Sequence, residues 1–238
     1  MKKSAIIRLL PAYICILGML IFIAYMGSHA VSVFRNSQII EPERIVVIDA
    51  GHGGIDGGAT SCSGVKESQL NLEISLRLND LFHLIGISTV MIRSEDVSVY
   101  TSGETIAAKK VSDLKNRVKM VNSMPECLLI SIHQNYFGDS KYDGAQVFYG
   151  RNPESQKFAE SMQSALISAL DPDNARKPKK ANGVYLMENI NASGILVECG
   201  FLSNPEEDLK LQDPVYQKKL AAVIAAVTSE YIYENPIA

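Results

Sequence analysis

Three apolar runs constrain this chain more than any other feature, because none of them alternates: Ile45-Val46-Val47-Ile48, Cys127-Leu128-Leu129-Ile130-Ser131-Ile132 and Gly194-Ile195-Leu196-Val197. A strand with one face in water alternates apolar and polar side chains. An unbroken run fits a strand covered on both faces, as in a parallel sheet between helix layers. Each run also stops at a residue with chemistry to offer. The first ends at His52, set among five glycines between Gly51 and Gly58; the second ends at His133-Gln134-Asn135; the third ends at Glu198. In open α/β sheets ligands bind just beyond the carboxyl ends of the strands. The expected fold is therefore α/β, a single three-layer domain with a mostly parallel central sheet and helices on both faces.

The N-terminus must be set aside before the fold is read. Lys2, Lys3 and Arg8 precede a nearly unbroken apolar stretch from Ala12 to Met26, followed by Gly27-Ser28-His29-Ala30. Basic residues ahead of an apolar stretch keep the N-terminus in the cytoplasm and send the rest across the membrane. Residues 1–30 read as a signal peptide or an N-terminal membrane anchor, residues 31–43 as a polar linker, and residues 44–238 as the catalytic domain. The expected location of that domain is extracytoplasmic. Without the three basic residues of the leader it keeps 20 Lys and Arg against 26 acids, a charge of about −6 that argues against nucleic acid as a partner. Cys62, Cys127 and Cys199 remain, an odd set without paired spacing, which argues against a disulfide framework or a Cys-x-x-Cys metal knuckle.

Helices are expected between the strands. Leu70, Ile74, Leu78, Leu81 and Ile85 fall at helical spacing, with Ser68 as candidate N-cap and Gly86 as stop. Glu67 then sits just before the first turn, where the helix dipole favours a carboxylate. Gly86–Arg93 reads as a strand, and the capping-box spacing of Thr101 and Glu104 starts a helix running to about Ser123. Gln146–Tyr149 reads as an edge strand, Ser155–Leu170 and Pro214–Tyr233 as helices, and Asp171–Gly183 as a long irregular stretch carrying Arg176, Lys177, Lys179 and Lys180. Those cations read as a solvated loop or as a rim for an anionic substrate. His83 has no partner by spacing and reads as structural.

The strand ends and the adjoining loop thus gather His52, Glu67, His133 and Glu198. A glutamate between Val197 and Cys199 is expensive to bury unless it is paired or functional. Two histidines and a carboxylate are a common ligand set for catalytic zinc, and a further carboxylate can shuttle the proton of an activated water.

The motifs resemble the zinc-dependent N-acetylmuramoyl-L-alanine amidases of the type-3 class, from about Arg44 to Tyr233. The resemblance rests on Ile48-Asp49-Ala50-Gly51-His52-Gly53-Gly54, Lys66-Glu67 with Asn71-Leu72, Arg93, the Leu114/Arg117/Asn122 pattern, Ser131-Ile132-His133-Gln134-Asn135, and Val197-Glu198-Cys199-Gly200-Phe201-Leu202-Ser203-Asn204. Gln134 and Val121 stand where alanine is more usual. The resemblance implies one Zn2+ per chain held by His52, Glu67 and His133, with Glu198 as the catalytic carboxylate. It implies hydrolysis of the amide between the lactyl group of N-acetylmuramic acid and the L-alanine of the stem peptide.

A small domain behind a membrane-targeting segment is most similar to the CwlD-type amidases of spore-forming bacteria, which implies peptidoglycan of the spore cortex as partner and muramic-δ-lactam formation as the setting. Some family members carry a helix that plugs the site, but only about a dozen residues separate His133 from the Ala145–Tyr149 strand. Control from outside is therefore expected, by location or by a protein partner that completes or stabilises the zinc site. Two other readings stay open on sequence: a catalytically silent peptidoglycan-binding protein of the same fold, and a zinc peptidase acting within the stem peptide.

Overall fold

A computed structural model of the chain describes residues 44–236, together with Leu17. Apart from Leu17, the expected N-terminal signal or anchor and the linker fall outside these described residues. Among the described residues no helix is long and apolar enough to cross a membrane.

Six strands form one sheet: β1 (Val46–Ala50), β2 (Thr89–Met91), β3 (Leu128–Asn135), β4 (Gln146–Tyr149), β5 (Lys179–Lys180) and β6 (Ser193–Phe201), in the order β2-β1-β3-β6-β4-β5. The first four in that order are parallel; β4 runs antiparallel to β6 and parallel to β5. The helices are α1 (Glu67–Leu84), α2 (Ile106–Asn122), α3 (Glu154–Leu170), α4 (Tyr185–Asn189), α5 (Pro205–Gln212) and α6 (Pro214–Glu234). The expected three-layer, mostly parallel α/β architecture is what the chain adopts.

The lack of alternation in the strands has a direct structural counterpart. Val46, Ile48, Leu128, Ile130, Ile132, Ile195 and Val197 enter one core with Leu70, Ile74 and Leu78 of α1, Phe158 and Met162 of α3, and Leu220 and Ile224 of α6. Val47, Leu129 and Leu196, pointing the other way, enter a second core with Val121 of α2 and Leu186 and Met187 of α4. Successive side chains of each strand feed opposite cores, so both must be apolar.

Several local expectations are corrected. Ser68 lies inside α1, whose N-cap is Lys66 with no side-chain cap. The cap is supplied instead by the glycine-rich loop: Glu67 N–H donates to the Ala59 carbonyl at 2.9 Å and Ser68 N–H to the Gly57 carbonyl at 3.1 Å. The free donors of the first turn are satisfied by backbone, which leaves the Glu67 carboxylate available. Helix α2 starts after Thr105, whose Oγ1 accepts from Ala108 N–H at 3.2 Å, and not at the Thr101/Glu104 pair. Strand β4 is not an edge, because Lys179 and Lys180, exposed and charged, pair beyond it and close the sheet. Helix α5 was not foreseen; its start is fixed by Asn204, whose Oδ1 accepts from Glu206 and Glu207, and by Pro205 in the first turn. The chain beyond Gly86 (φ 80°) leaves α1 as expected.

Candidate metal and catalytic site

Strands β1, β3 and β6 are neighbours at the centre of the sheet, and their carboxyl ends place the four sequence-derived candidates together. His133 lies opposite Glu198 in the β3–β6 register, and the loop after Ala50 carries His52 over the end of β3. Glu67 arrives from the head of α1. The Nε2 of His52 is 3.2 Å from one Glu67 carboxylate oxygen and the Nδ1 of His133 is 2.9 Å from the other. The ligand-capable atoms of His52, Glu67 and His133 all lie within 4.8 Å of one another.

Two glycines make this approach possible. A Cβ on Gly51 would lie 2.2 Å from Nε2 of His133, and one on Gly58 would lie 2.5 Å from Oε2 of Glu67 and 2.8 Å from the His52 ring. His52 itself has φ 60°, in the left-handed region that costs an L-residue about 1–2 kcal/mol.

That conformation is held from behind by two arginines. Arg93 donates to the carbonyls of Ala50 (2.8 Å), Gly51 (2.9 Å) and Ser68 (2.8 Å). Arg117 of α2 donates to the carbonyls of His52 (2.7 Å) and Ala50 (3.1 Å), pairs with Asp113 at 2.6 Å, and forms a short ion pair with Asp49. Asp49, fully within β1, also accepts from Ser131 Oγ of β3 at 2.6 Å. Burial alone would raise the Asp49 carboxyl, but Arg117 foremost holds it below its ordinary range. Three consecutive carbonyls of the His52 loop are thus fixed by buried guanidinium groups.

Glu67 is buried, and besides the histidines it accepts from Ala59 N–H (3.0 Å), Gln134 N–H (3.2 Å) and Asn71 Nδ2 (3.3 Å). Burial works against its charge, but the hydrogen bonds and charges of His133 and His52 prevail and hold it far below the usual carboxylate range. His52 is the reverse case. Burial disfavours its cation, yet Glu67 and Asp56 outweigh that and raise it to about 9. Gln134, the departure from the family pattern, is buried under the site and its Nε2 donates to Asn71 Oδ1 at 3.2 Å, extending the row that supports Glu67.

Glu198 differs from all of these. Part of its side chain meets solvent, while Oε2 is buried with no hydrogen-bond partner. Burial and the charge of Glu67 raise it, His133 and His52 lower it, and burial prevails: the carboxyl is pushed up to about 7. A carboxyl poised there can take and return a proton near neutral pH.

The sequence reading missed Asp56, Asp49 and Arg117 as contributors. Asp49 carried the same signal that exposed Glu198, an acid inside an apolar strand. His83 lies elsewhere, with Nε2 2.8 Å from Thr89 Oγ1. Arg176 donates to the Asp143 carbonyl at 2.7 Å and stands 4.5 Å over the Phe201 ring. Cys62, Cys127 and Cys199 are free thiols.

Fold and site together define an α/β protein with an open His-Glu-His donor set and a separate half-buried acid at the carboxyl end of a parallel sheet. Residues 46–229 match the family model described as N-acetylmuramoyl-L-alanine amidase. The chain is 38% identical over 194 residues to the germination-specific N-acetylmuramoyl-L-alanine amidase of Bacillus subtilis, covering 81% of each. Among solved structures it resembles the CwlD amidase from Clostridioides difficile in complex with the GerS lipoprotein (34% identity, TM-score 0.77, 81% of this chain and 100% of that one). It also resembles the N-acetylmuramoyl-L-alanine amidase from Clostridium difficile 630 (30% identity, TM-score 0.70, 81% and 98%). The chain belongs to the N-acetylmuramoyl-L-alanine amidase family and is an enzyme of that class acting on peptidoglycan.

Proposed function

We propose that the enzyme is a zinc amidase that cleaves between the N-acetylmuramic acid lactyl group and L-alanine, with His52, Glu67 and His133 as ligands and Glu198 as the catalytic acid and base. The observation that carries this is the convergence of three donors within 4.8 Å beside a carboxylate oxygen that is buried and unpartnered. Two nitrogens and a carboxylate suit zinc, and glycines at 51 and 58 leave the donors room to converge, so the residues fit the ion. Zinc, when bound, supplies a Lewis acid that brings the pKa of water towards about 7 and polarises the amide carbonyl.

The chain's own residues do the rest. Asn71, Ala59 N–H and Gln134 N–H orient the Glu67 carboxylate. Glu198 receives the proton of the attacking water and returns it to the leaving amine, which its raised pKa suits it to do in both directions.

The biological setting of this proposal is spore cortex, with muramic-δ-lactam formation as the step served. The similarity to a germination-specific amidase supports it. Residues 1–30 target or anchor the protein, 31–43 link, and 44–238 form the catalytic domain, which acts outside the cytoplasm. The connection from Tyr136 to Ala145 between β3 and β4 holds turns and no helix. Control then falls to location or to a protein partner that stabilises the zinc site; a similar amidase has been solved with a lipoprotein bound.

The test incubates the full chain with purified peptidoglycan, with and without zinc, beside Glu198→Gln, and identifies products by mass. Release of intact stem peptides by the zinc-supplemented parent alone supports the proposal. Shortened peptides would instead mark a peptidase, and zinc uptake without cleavage, persisting when a partner is supplied, a silent binding protein.

A further inference from the structure

One carboxylate touching the site has no part in the reaction described so far. Asp56 lies four residues beyond His52, and the loop folds back between them: Gly53 N–H donates to the Asp56 carbonyl at 2.8 Å and Asp56 N–H to the Gly53 carbonyl at 3.1 Å. This tight closure brings Oδ2 of Asp56 to 3.0 Å from Nδ1 of His52, on the side of the ring away from Glu67. The other oxygen, Oδ1, is already taken. Lys110 Nζ of α2 stands 2.7 Å from it, and Gly58 N–H donates to it at 3.3 Å.

A carboxylate has only acceptors to offer, so Nδ1 carries a hydrogen towards Asp56; Nε2 faces the Glu67 carboxylate and carries one as well in the metal-free site, and where a metal takes the place of that second hydrogen the lone pair stands on Nε2, towards Glu67 and His133. We propose that Asp56 is the positioning residue of the metal site: it fixes the tautomer and plane of His52, with Lys110 and Gly58 fixing Asp56 in turn. This rests on the reading of His52 as a ligand. Carboxylates behind metal-binding histidines typically contribute about 10–100-fold to metal affinity.

The arrangement around Oδ1 gives the proposal an unusual signature. In Asp56→Asn the carbonyl oxygen of the amide is drawn to Lys110 and Gly58 N–H, which can only donate. The amide NH2 is then turned towards His52 Nδ1 and stabilises the wrong tautomer, with hydrogen on Nε2. Asp56→Ala removes the preference without reversing it.

The experiment measures zinc affinity of the metal-free full chain by competition with a chromophoric chelator, for the parent, Asp56→Ala and Asp56→Asn. Proton-nitrogen spectra of the metal-free chain at a pH of about 10, where the His52 ring is neutral, report which of its nitrogens carries hydrogen. We expect Asp56→Ala to bind zinc about 10–100-fold more weakly, Asp56→Asn to be as weak or weaker although it is the closer isostere, and Nδ1 to lose its hydrogen in Asp56→Asn. Asparagine closer to the parent than alanine, or either variant within about twofold of it, overturns the proposal, since lost charge or packing alone would favour asparagine. A parent that takes up no zinc even when a partner is supplied overturns the ligand reading itself, and this proposal with it.

Discussion

Glu198, the proposed catalytic acid and base, shows at the scale of one residue how such a group weighs on stability. Its carboxyl is raised from 4.5 to about 7 in the folded protein, chiefly by burial. Folding therefore favours its protonated form. The stability it contributes is complete below pH 4.5 and is lost as pH rises through about 7. The shift corresponds to about 3 kcal/mol at most, less whatever the partly exposed side chain regains from water. Metal-free Glu198→Gln is accordingly expected to be about 1–3 kcal/mol more stable than the parent at pH 8 and equal to it near pH 4.5, by urea unfolding. Equal stability at both pH values would show that the carboxylate is not desolvated. Glu198 was legible because an acid between Val197 and Cys199 contradicts its surroundings. Asp56 was not, because four residues from His52 in a glycine-rich loop it looks like any solvated turn residue.

At the scale of elements, the site depends on a helix that contributes no ligand. Arg117 projects from α2 through Asp49 of β1 to the His52 carbonyl. Arg117→Met leaves Asp49 buried without its cation, and a loss of about 3–5 kcal/mol is expected in urea unfolding. Adding Asp49→Asn should restore much of that stability, because the stranded charge is gone. It should not restore zinc affinity, since the Ala50 and His52 carbonyls remain unheld. Recovery of both together would mean that the pair serves stability alone. Non-alternating strands and the α1, α3 and α6 patterns were readable because burial on two faces demands apolar residues throughout. The element starts were less so. Lys66 caps α1 through backbone supplied by residues 57–59, and β5 exists only because Lys179 and Lys180 happen to lie beside Phe148 and Tyr149. Neither depends on a local sequence signal.

The whole domain gathers its candidate metal ligands and proposed catalytic acid at the carboxyl ends of the strands. Among the described residues the other non-glycine with positive φ is Glu126 (φ 56°), in the turn that enters β3 from the opposite end. No role in the site attaches to its strain. Glu126→Gly is expected to gain about 0.5–1 kcal/mol with zinc affinity unchanged, measured by urea unfolding and chelator competition. A loss of zinc affinity would show that the two ends communicate through β3.

The position of Glu67 has a mechanical meaning. It is the first residue of α1, a helix that runs along the sheet and is itself fastened to α6, where Gln217 takes a hydrogen bond from Arg77 at 2.9 Å and gives one to Glu73 at 2.9 Å. On the proposed ligand reading, an ion shared by Glu67, His52 and His133 would work as a rivet driven through the helix layer, the glycine loop and the central strand. Loading the site would then stiffen the head of a long lever, and emptying it would loosen three pieces at once. On that reading the enzyme's readiness for chemistry is also a state of its framework.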